Sequence, residues 1–233
     1  MSLPNKIRQL FRITLYSPWT IYFNFSNFPF KTAMKLPVIL YKPIISGKGK
    51  YIIEGPVRTG MIKFGFPNVS IYRERGVVLE NKGTIIFKGN ANIGGGSAIS
   101  VGPSVKLVIG DRFSNQTGGK IVCYHKVEFG HTVRLGWQCL VCDTDFHTLK
   151  TEDGKEYSKG YGPIIIGDEV WVGSYSLIYK NTEIPPRCTV ASRTLLNKKM
   201  DCSPYSLIYS GGGIKTKYTG MYRDIDDDEI TYS

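Results

Sequence analysis

From Ile166 to Asp201 the chain repeats with a period of six. In the rows IGDEVW, VGSYSL, IYKNTE, IPPRCT, VASRTL and LNKKMD the first position is always aliphatic: Ile166, Val172, Ile178, Ile184, Val190, Leu196. The fifth is small or β-branched: Val170, Ser176, Thr182, Cys188, Thr194. The second is often glycine or alanine, at Gly167, Gly173 and Ala191. A period of six fits neither the 3.6-residue helix nor the two-residue strand. It predicts a short strand, then a corner, repeated. Position one points inward, the small fifth residue fits beneath the corner, and glycine at position two relieves backbone strain there. Three hexads close a triangular coil, and coils stack at about 4.8 Å. One coil cannot bury its own inward face, so several must stack.

The same frame runs through FGHTVR, LGWQCL and VCDTDF, with Phe129, Leu135 and Val141 inward. It recurs more loosely, with slips, in FKGNAN, IGGGSA and IGDRFS upstream. These rows lack the strict alternation of an antiparallel sandwich. Between Val141 and Ile166 the frame breaks. Residues 147–163, HTLKTEDGKEYSKGYGP, are polar, charged and glycine-bearing and read as a loop thrown out from the coil. Long loops in compact domains often carry function. The expected organisation is an N-terminal helical or irregular segment over 1–45, a coil domain over 46–215 with its protruding loop, and an acidic tail over 216–233. Residues 2–15 have the spacing of a short amphipathic helix, with Ile7, Leu10, Phe11 and Leu15 on one face. Such a helix caps the end of the solenoid or lies on a membrane surface.

Composition sharpens this picture only in part. The formal net charge is +11 over 233 residues. It is concentrated early: residues 1–75 hold twelve Lys/Arg against two Glu. That balance favours anionic partners such as phosphates, acidic glycans or a membrane face. No nucleic-acid-binding motif accompanies it, so no nucleic acid partner is expected. Five cysteines and no recognisable secretory leader favour free thiols and a cytoplasmic setting.

The stretch VCDTDFHTL (141–149) gathers Cys142, Asp143, Asp145 and His147. With Cys139 it contains C-x-x-C, a spacing that suggests zinc. The hexad frame argues otherwise. Cys139 is a fifth-position residue and Cys142 a second-position one, so the two point in different directions. His125 and His131 fall at outward positions on neighbouring faces. No metal site is expected. Asp145 falls at a fifth position, an inward corner where a carboxylate needs a partner.

GPIIIGDEVWVGSYSLIYKNTEIPPRCTVASRTLLNK (162–198), with its Trp171-Val172-Gly173 step, resembles the terminal coils of the hexapeptide-repeat acyltransferases. SPYSLIYSGGGIKTK (203–217) is similar to their closing segment, and TIYFNFSNFPFKTAMKLPVIL (20–40) to acetyltransferases of surface-polysaccharide gene clusters. The resemblance implies a mainly β fold, a left-handed parallel β-helix, usually trimeric with active sites between subunits. Left-handed crossovers break the usual rule; the period alone does not set the hand.

The resemblance further implies an acetyl-CoA-dependent O-acetyltransferase acting on a saccharide in polysaccharide biosynthesis. His147, at the start of the loop, takes the place of the family's catalytic histidine, with Asp145 or Asp143 orienting it. A neutral imidazole can take a hydroxyl proton near neutral pH. By position, Trp171, Gly173, Ser174 and Ser192 would line the pantetheine arm of acetyl-CoA. Asn197, Lys198 and Lys215 would meet its adenosine and phosphate end, and the Ser174 N–H would serve the oxyanion. Arg193 and Ser192 replace the family's more usual Gly-Ser turn, and YSGGGIK its common Gly-Asn-Pro-Ala. Alternatives are an N-acetyltransferase of an amino sugar or antibiotic, a metal-dependent hydratase, and a non-catalytic scaffold. A covalent acyl-cysteine route competes with direct transfer.

Overall fold

A computed structural model describes residues 17–72, 75–147, 149–150, 156–211 and 214–218, with the backbone alone at 17, 149–150, 156–158 and 214–218. The short strands build three parallel sheets, the faces of a left-handed triangular prism. The first face runs from Val38–Leu40 through Ile62–Phe66, Ala91–Gly94, Phe113–Asn115, Arg134–Leu135, Trp171–Val172 and Thr189–Val190 to Leu207–Ser210. The second holds Pro43–Ser46, Val77–Asn81, Ser97–Val101, Lys120–Cys123, Leu140–Cys142, Leu177–Tyr179 and Leu195–Leu196. The third holds Lys50–Ile53, Thr84–Phe87, Lys106–Ile109, Lys126–Phe129, Ile164–Ile166 and Glu183–Ile184.

The hexad columns sit where the period places them. All six first-position residues from Ile166 to Leu196 are buried in one continuous core, as are Phe129, Leu135 and Val141. The fifth-position residues Val170, Ser176, Thr182, Cys188 and Thr194 are buried too. Val172 pairs with Val190, and Ile178 with Leu196, each one coil of eighteen residues away.

The corner chemistry differs from expectation. Positive φ falls on the fourth position, at Glu169, Tyr175, Asn181, Arg187 and Arg193, with angles of 57° to 67°. Each left-handed residue costs roughly 1–2 kcal/mol, offset by the stacked rungs. The N–H of Arg193, for example, donates to the Ser174 carbonyl of the coil before it. The second-position glycines do not relieve strain there. They make room between coils: a Cβ at Gly173 would lie 2.5 Å from the Ser192 nitrogen.

The prism also begins earlier than residue 46. Val38 already pairs with Ile62, because helix α1 (Ser17–Asn27) shields that first strand's open edge. Thr20 and Asn24, one turn apart on the helix, are buried. The Leu40 N–H donates to Thr20 Oγ1, the Val38 N–H donates to Asn24 Oδ1, and Asn24 Nδ2 donates to the Val38 carbonyl. Two side chains thus satisfy an edge that would otherwise invite another strand. The short helix α2 (Phe30–Ala33) follows. At the far end Ile214–Tyr218 pairs antiparallel with Leu207–Ser210. The amphipathic segment 2–15 and the acidic residues beyond 218 lie outside the described residues.

Candidate active site

The break in the repeat is built around Asp143. Strand Leu140–Cys142 sits regularly between Lys120–Val122 and Leu177–Tyr179. After it the chain leaves the prism. Asp143 is fully buried, and its carboxylate accepts three backbone N–H groups of the preceding coil's corner: Tyr124 on Oδ1, His125 and Lys126 on Oδ2, each at 2.8 Å. Its carbonyl accepts the Gly162 N–H at 3.0 Å, and the Asp145 N–H donates to Gly160 at 2.7 Å. Thr144 and Tyr161 form an antiparallel bridge. Outgoing and returning segments are therefore zipped together at the base, three residues before the loop expected at 147. Beyond it, Leu149–Lys150 pairs with Glu156–Ser158.

His147 follows directly and is exposed at the outer side of this base. Phe146, with φ of 59°, sets its direction: the Phe146 ring packs edge-on to Tyr124 at 4.9 Å, and its N–H donates to Thr144 Oγ1. The His125 ring lies 4.8 Å from Tyr161, so both segments of the base rest on the same corner below.

Asp145 is not at an inward corner. The chain has already left the coil, so its carboxylate is exposed and paired with Lys180. Neither it nor Asp143 is hydrogen-bonded to His147; Asp143 spends its oxygens on the corner.

The thiols of the C-x-x-C diverge, as the frame requires. Cys139 Sγ donates to the Gly173 carbonyl, Cys142 Sγ to that of Thr144. Burial pushes the thiols of Cys123, Cys139 and Cys142 up, and that of Cys188 up to about 11. A thiol held protonated is a poor nucleophile. Among the described residues no cluster of three or more His, Cys, Asp or Glu is placed to hold a metal.

The residues expected at the coenzyme divide between two corners. Gly173, Ser174 and Ser192 stack at the corner between first and second faces, with Trp171 just before them on the first face and 38% exposed. Ser174 Oγ accepts the Trp137 N–H. Asn197 and Lys198 are exposed past Leu195–Leu196, at the corner between second and third faces that also bears His147. Within one chain, the whole second face thus separates Ser174 from His147. Lys215 lies on the terminal strand, its side chain outside the described residues.

The Ser174 corner holds residues the hexad reading missed. The segment that follows Phe66 reaches this corner, where the Tyr72 ring lies 5.3 Å from Trp137 and Tyr72 Oη 2.8 Å from Tyr175 Oη. The Arg193 guanidinium sits 6.0 Å over the Tyr175 ring. The one available signal was the Gly94-Gly95-Gly96 run, which leaves this corner bare: a Cβ on Gly94 would meet Asn68 at 2.7 Å.

A prism whose winding breaks after Cys142, with a histidine at that break and a polar, aromatic corner one face away, defines the chain as a left-handed parallel β-helix with an exposed candidate base. No protein-family model matches the chain, and no curated protein matches it in sequence. Among solved structures it is similar to the polySia-specific acetyltransferase NeuO, at 16% identity and a TM-score of 0.60 over 83% of this chain and 81% of that one. Fainter likenesses are the polysialic acid O-acetyltransferase OatWY (17% identity, TM-score 0.37, 77% and 90% covered) and a hexapeptide transferase family protein from Anaplasma phagocytophilum (15%, 0.37, 76% and 78%). The likeness to NeuO is one of fold.

Proposed function

We propose that this protein is an acetyl-CoA-dependent O-acetyltransferase that acylates a saccharide hydroxyl, in the biosynthesis of a bacterial surface polysaccharide. One observation carries the reading: the coil that breaks after Cys142 presents His147, exposed, at a base fixed by buried Asp143. NeuO, which shares the fold, is described as an acetyltransferase specific for polySia, and a saccharide acceptor for this chain follows that likeness.

In this reading His147 takes the acceptor hydroxyl proton as the oxygen attacks the thioester carbonyl. The tetrahedral oxyanion collapses, the carbon–sulfur bond breaks, and the imidazolium returns its proton to the leaving thiolate. The raised thiols favour this direct transfer over an acyl-cysteine. Ser174 is a whole face from His147, so an oxyanion donor of that kind comes from a second copy of the chain, in keeping with a trimer whose sites lie between subunits. Trp171, Gly173, Ser174, Ser192, Asn197, Lys198 and Lys215 are proposed to line the coenzyme groove. Asp143 and Asp145 act as positioning residues, through the base of the excursion and through Lys180.

The test is His147→Ala. Acceptor-dependent release of CoA should fall by about 10²–10⁴-fold, with the affinity for acetyl-CoA retained. Near-normal turnover removes His147 from the mechanism.

A peripheral membrane contact is also proposed, on residues other than those expected. Helix α1 leaves Trp19, Ile21, Tyr22 and Phe25 exposed, and helix α2 and its C-cap add Phe30 and Met34. No acidic residue precedes Glu54, and eight Lys/Arg do. Among the described residues no helix is long and apolar enough to cross a membrane.

A further inference from the structure

Helix α1 closes the open end of the prism rather than one of its sides. The Val38 and Leu40 N–H groups that bond Asn24 and Thr20 point away from the next strand, Ile62–Phe66, and so along the prism axis. Phe23, on the same side of the helix, is buried, with its ring 4.8 Å from that of Tyr51 in the first coil. The opposite side of the helix therefore looks outward along the axis. It carries Tyr22 and Phe25. Trp19 packs edge-on to Tyr22 at 6.5 Å, and Phe30 of α2 edge-on to Phe25 at 5.9 Å. All four rings are exposed.

Cations ring this plate. Lys31 and Lys35 are exposed within and just after α2. On the first coil Lys42, Lys48 and Lys50 are exposed at the corner between first and second faces, at the corner between second and third, and on the third face. Residues 17–53 hold no Asp or Glu. Acids begin at Glu54, where the first coil ends, and continue along the sides at Glu80, Glu128 and Glu183, each beside a lysine.

We infer that the protein stands end-on on an anionic lipid surface, with the prism axis upright and the broken coil held well above the lipid. This rests on the membrane contact proposed above and adds its direction. Aromatic rings settle at headgroup level, and lysines around them attract anionic lipid. Docking on any side face would turn the plate edge-on and leave most of its rings in water. The winding then sets a height. Leu140–Cys142, where the coil breaks, is the fifth strand of the second face counted from Pro43–Ser46. Four rungs of ~4.8 Å put the base that bears His147 roughly 19 Å beyond the first coil. In the acyl-transfer reading, the hydroxyl that reacts then belongs to a unit several sugars out from any lipid anchor.

The test is resonance energy transfer from one fluorophore on the full chain to rhodamine-labelled lipid in phosphatidylglycerol vesicles at low salt, with no acetyl donor present. The dye is attached at Glu54→Cys, beside the first coil, or at Pro186→Cys, at the same corner of the sixth; both positions are exposed. A Cys202→Ser background leaves only buried native thiols. Transfer should be strong from the first site and much weaker from the second, which stands five rungs, about 24 Å, farther from the lipid. Lys42→Gln with Lys48→Gln should weaken vesicle binding roughly tenfold, with melting temperature unchanged. Equal transfer from the two sites, or stronger transfer from the second, overturns the end-on inference while the lipid contact stands. Binding indifferent to the lysine pair overturns it too. No association with the vesicles removes the lipid contact itself and its direction with it. The acyl-transfer reading survives any of these results, since the measurement involves no transfer.

Discussion

Tyr72 and Tyr175 share a hydroxyl–hydroxyl hydrogen bond of 2.8 Å across 103 residues of sequence. It ties the segment that follows Phe66 to the coil that bears Ser174. That segment passes the bare Gly94-Gly95-Gly96 corner, and Asn68 Nδ2 donates to Gln116 Oε1 on the way. A Cβ on Gly94 would also lie 2.9 Å from the backbone of Gln116 and Thr117. Gly94→Ala should therefore lower stability by about 1–3 kcal/mol, read by urea unfolding. Tyr72→Ala leaves the coils intact but removes an aromatic wall from the corner proposed to take the acetyl donor. It should raise the KM for acetyl-CoA by roughly tenfold with kcat little changed. Unchanged kinetics would detach this corner from the donor.

Asp143 anchors the base of the excursion, and the proposed mechanism adds a positioning role that a substitution can test. Its carboxylate accepts three backbone N–H groups with no exposure to water. In Asp143→Asn one oxygen becomes an NH₂ facing donors. Stability should fall by about 2–3 kcal/mol, and turnover should fall with it because the base of the excursion loosens. The pH at half-maximal kcat/KM should move as well, since the setting of His147 changes. A loss of stability with an unaltered pH profile would leave Asp143 purely structural.

The buried thiols make an alkaline prediction. Burial raises Cys123, Cys139, Cys142 and Cys188, the last to about 11. A thiol raised in the folded state stabilises it fully below the unfolded value, near 8.5, and that contribution is lost as pH climbs toward the folded value. Unfolding free energy should accordingly decline from about pH 8.5 to about 11. Cys188→Ala should flatten the decline. A stability constant across that window would contradict it.

The aromatic surface of α1 predicts lipid binding. Tyr22 and Phe30 are 66% and 70% exposed, beside Lys31 and Lys35 in a stretch without acids. The protein should co-sediment with phosphatidylglycerol vesicles at low salt and much less with phosphatidylcholine, each nearby cation adding about 1 kcal/mol. Trp19→Ser with Tyr22→Ser and Phe30→Ser should release it. Equal partition onto both lipids, or binding indifferent to the triple substitution, counts against membrane contact.

Much of this architecture could be read from the chain alone. A six-residue period predicts a triangular coil in which every first residue is buried, and the first-position residues from Ile166 to Leu196 are buried. The same arithmetic located the break after Val141 and separated Cys139 from Cys142. Asp145 was misjudged because the frame was carried two residues past the point where the chain departs. Which residue ends a coil depends on hydrogen bonds to the coil beneath, here those of Asp143 to Tyr124, His125 and Lys126, and periodicity does not encode them. The early start at Val38 was hidden for a similar reason. Thr20 and Asn24 look like ordinary polar helix positions until a strand edge is placed against them.

Sequence by itself determined what repeats: which side chains face inward, that the winding breaks between Val141 and Ile166, and that a histidine stands near the break. These follow from local spacing, because burial depends on position within the hexad. Only the tertiary structure decided what lies side by side between coils. The Tyr72–Tyr175 contact and the separation of Ser174 from His147 involve residues far apart in the chain. Their placement is set by stacking register and by the lengths of the crossings, which accumulate over the whole prism.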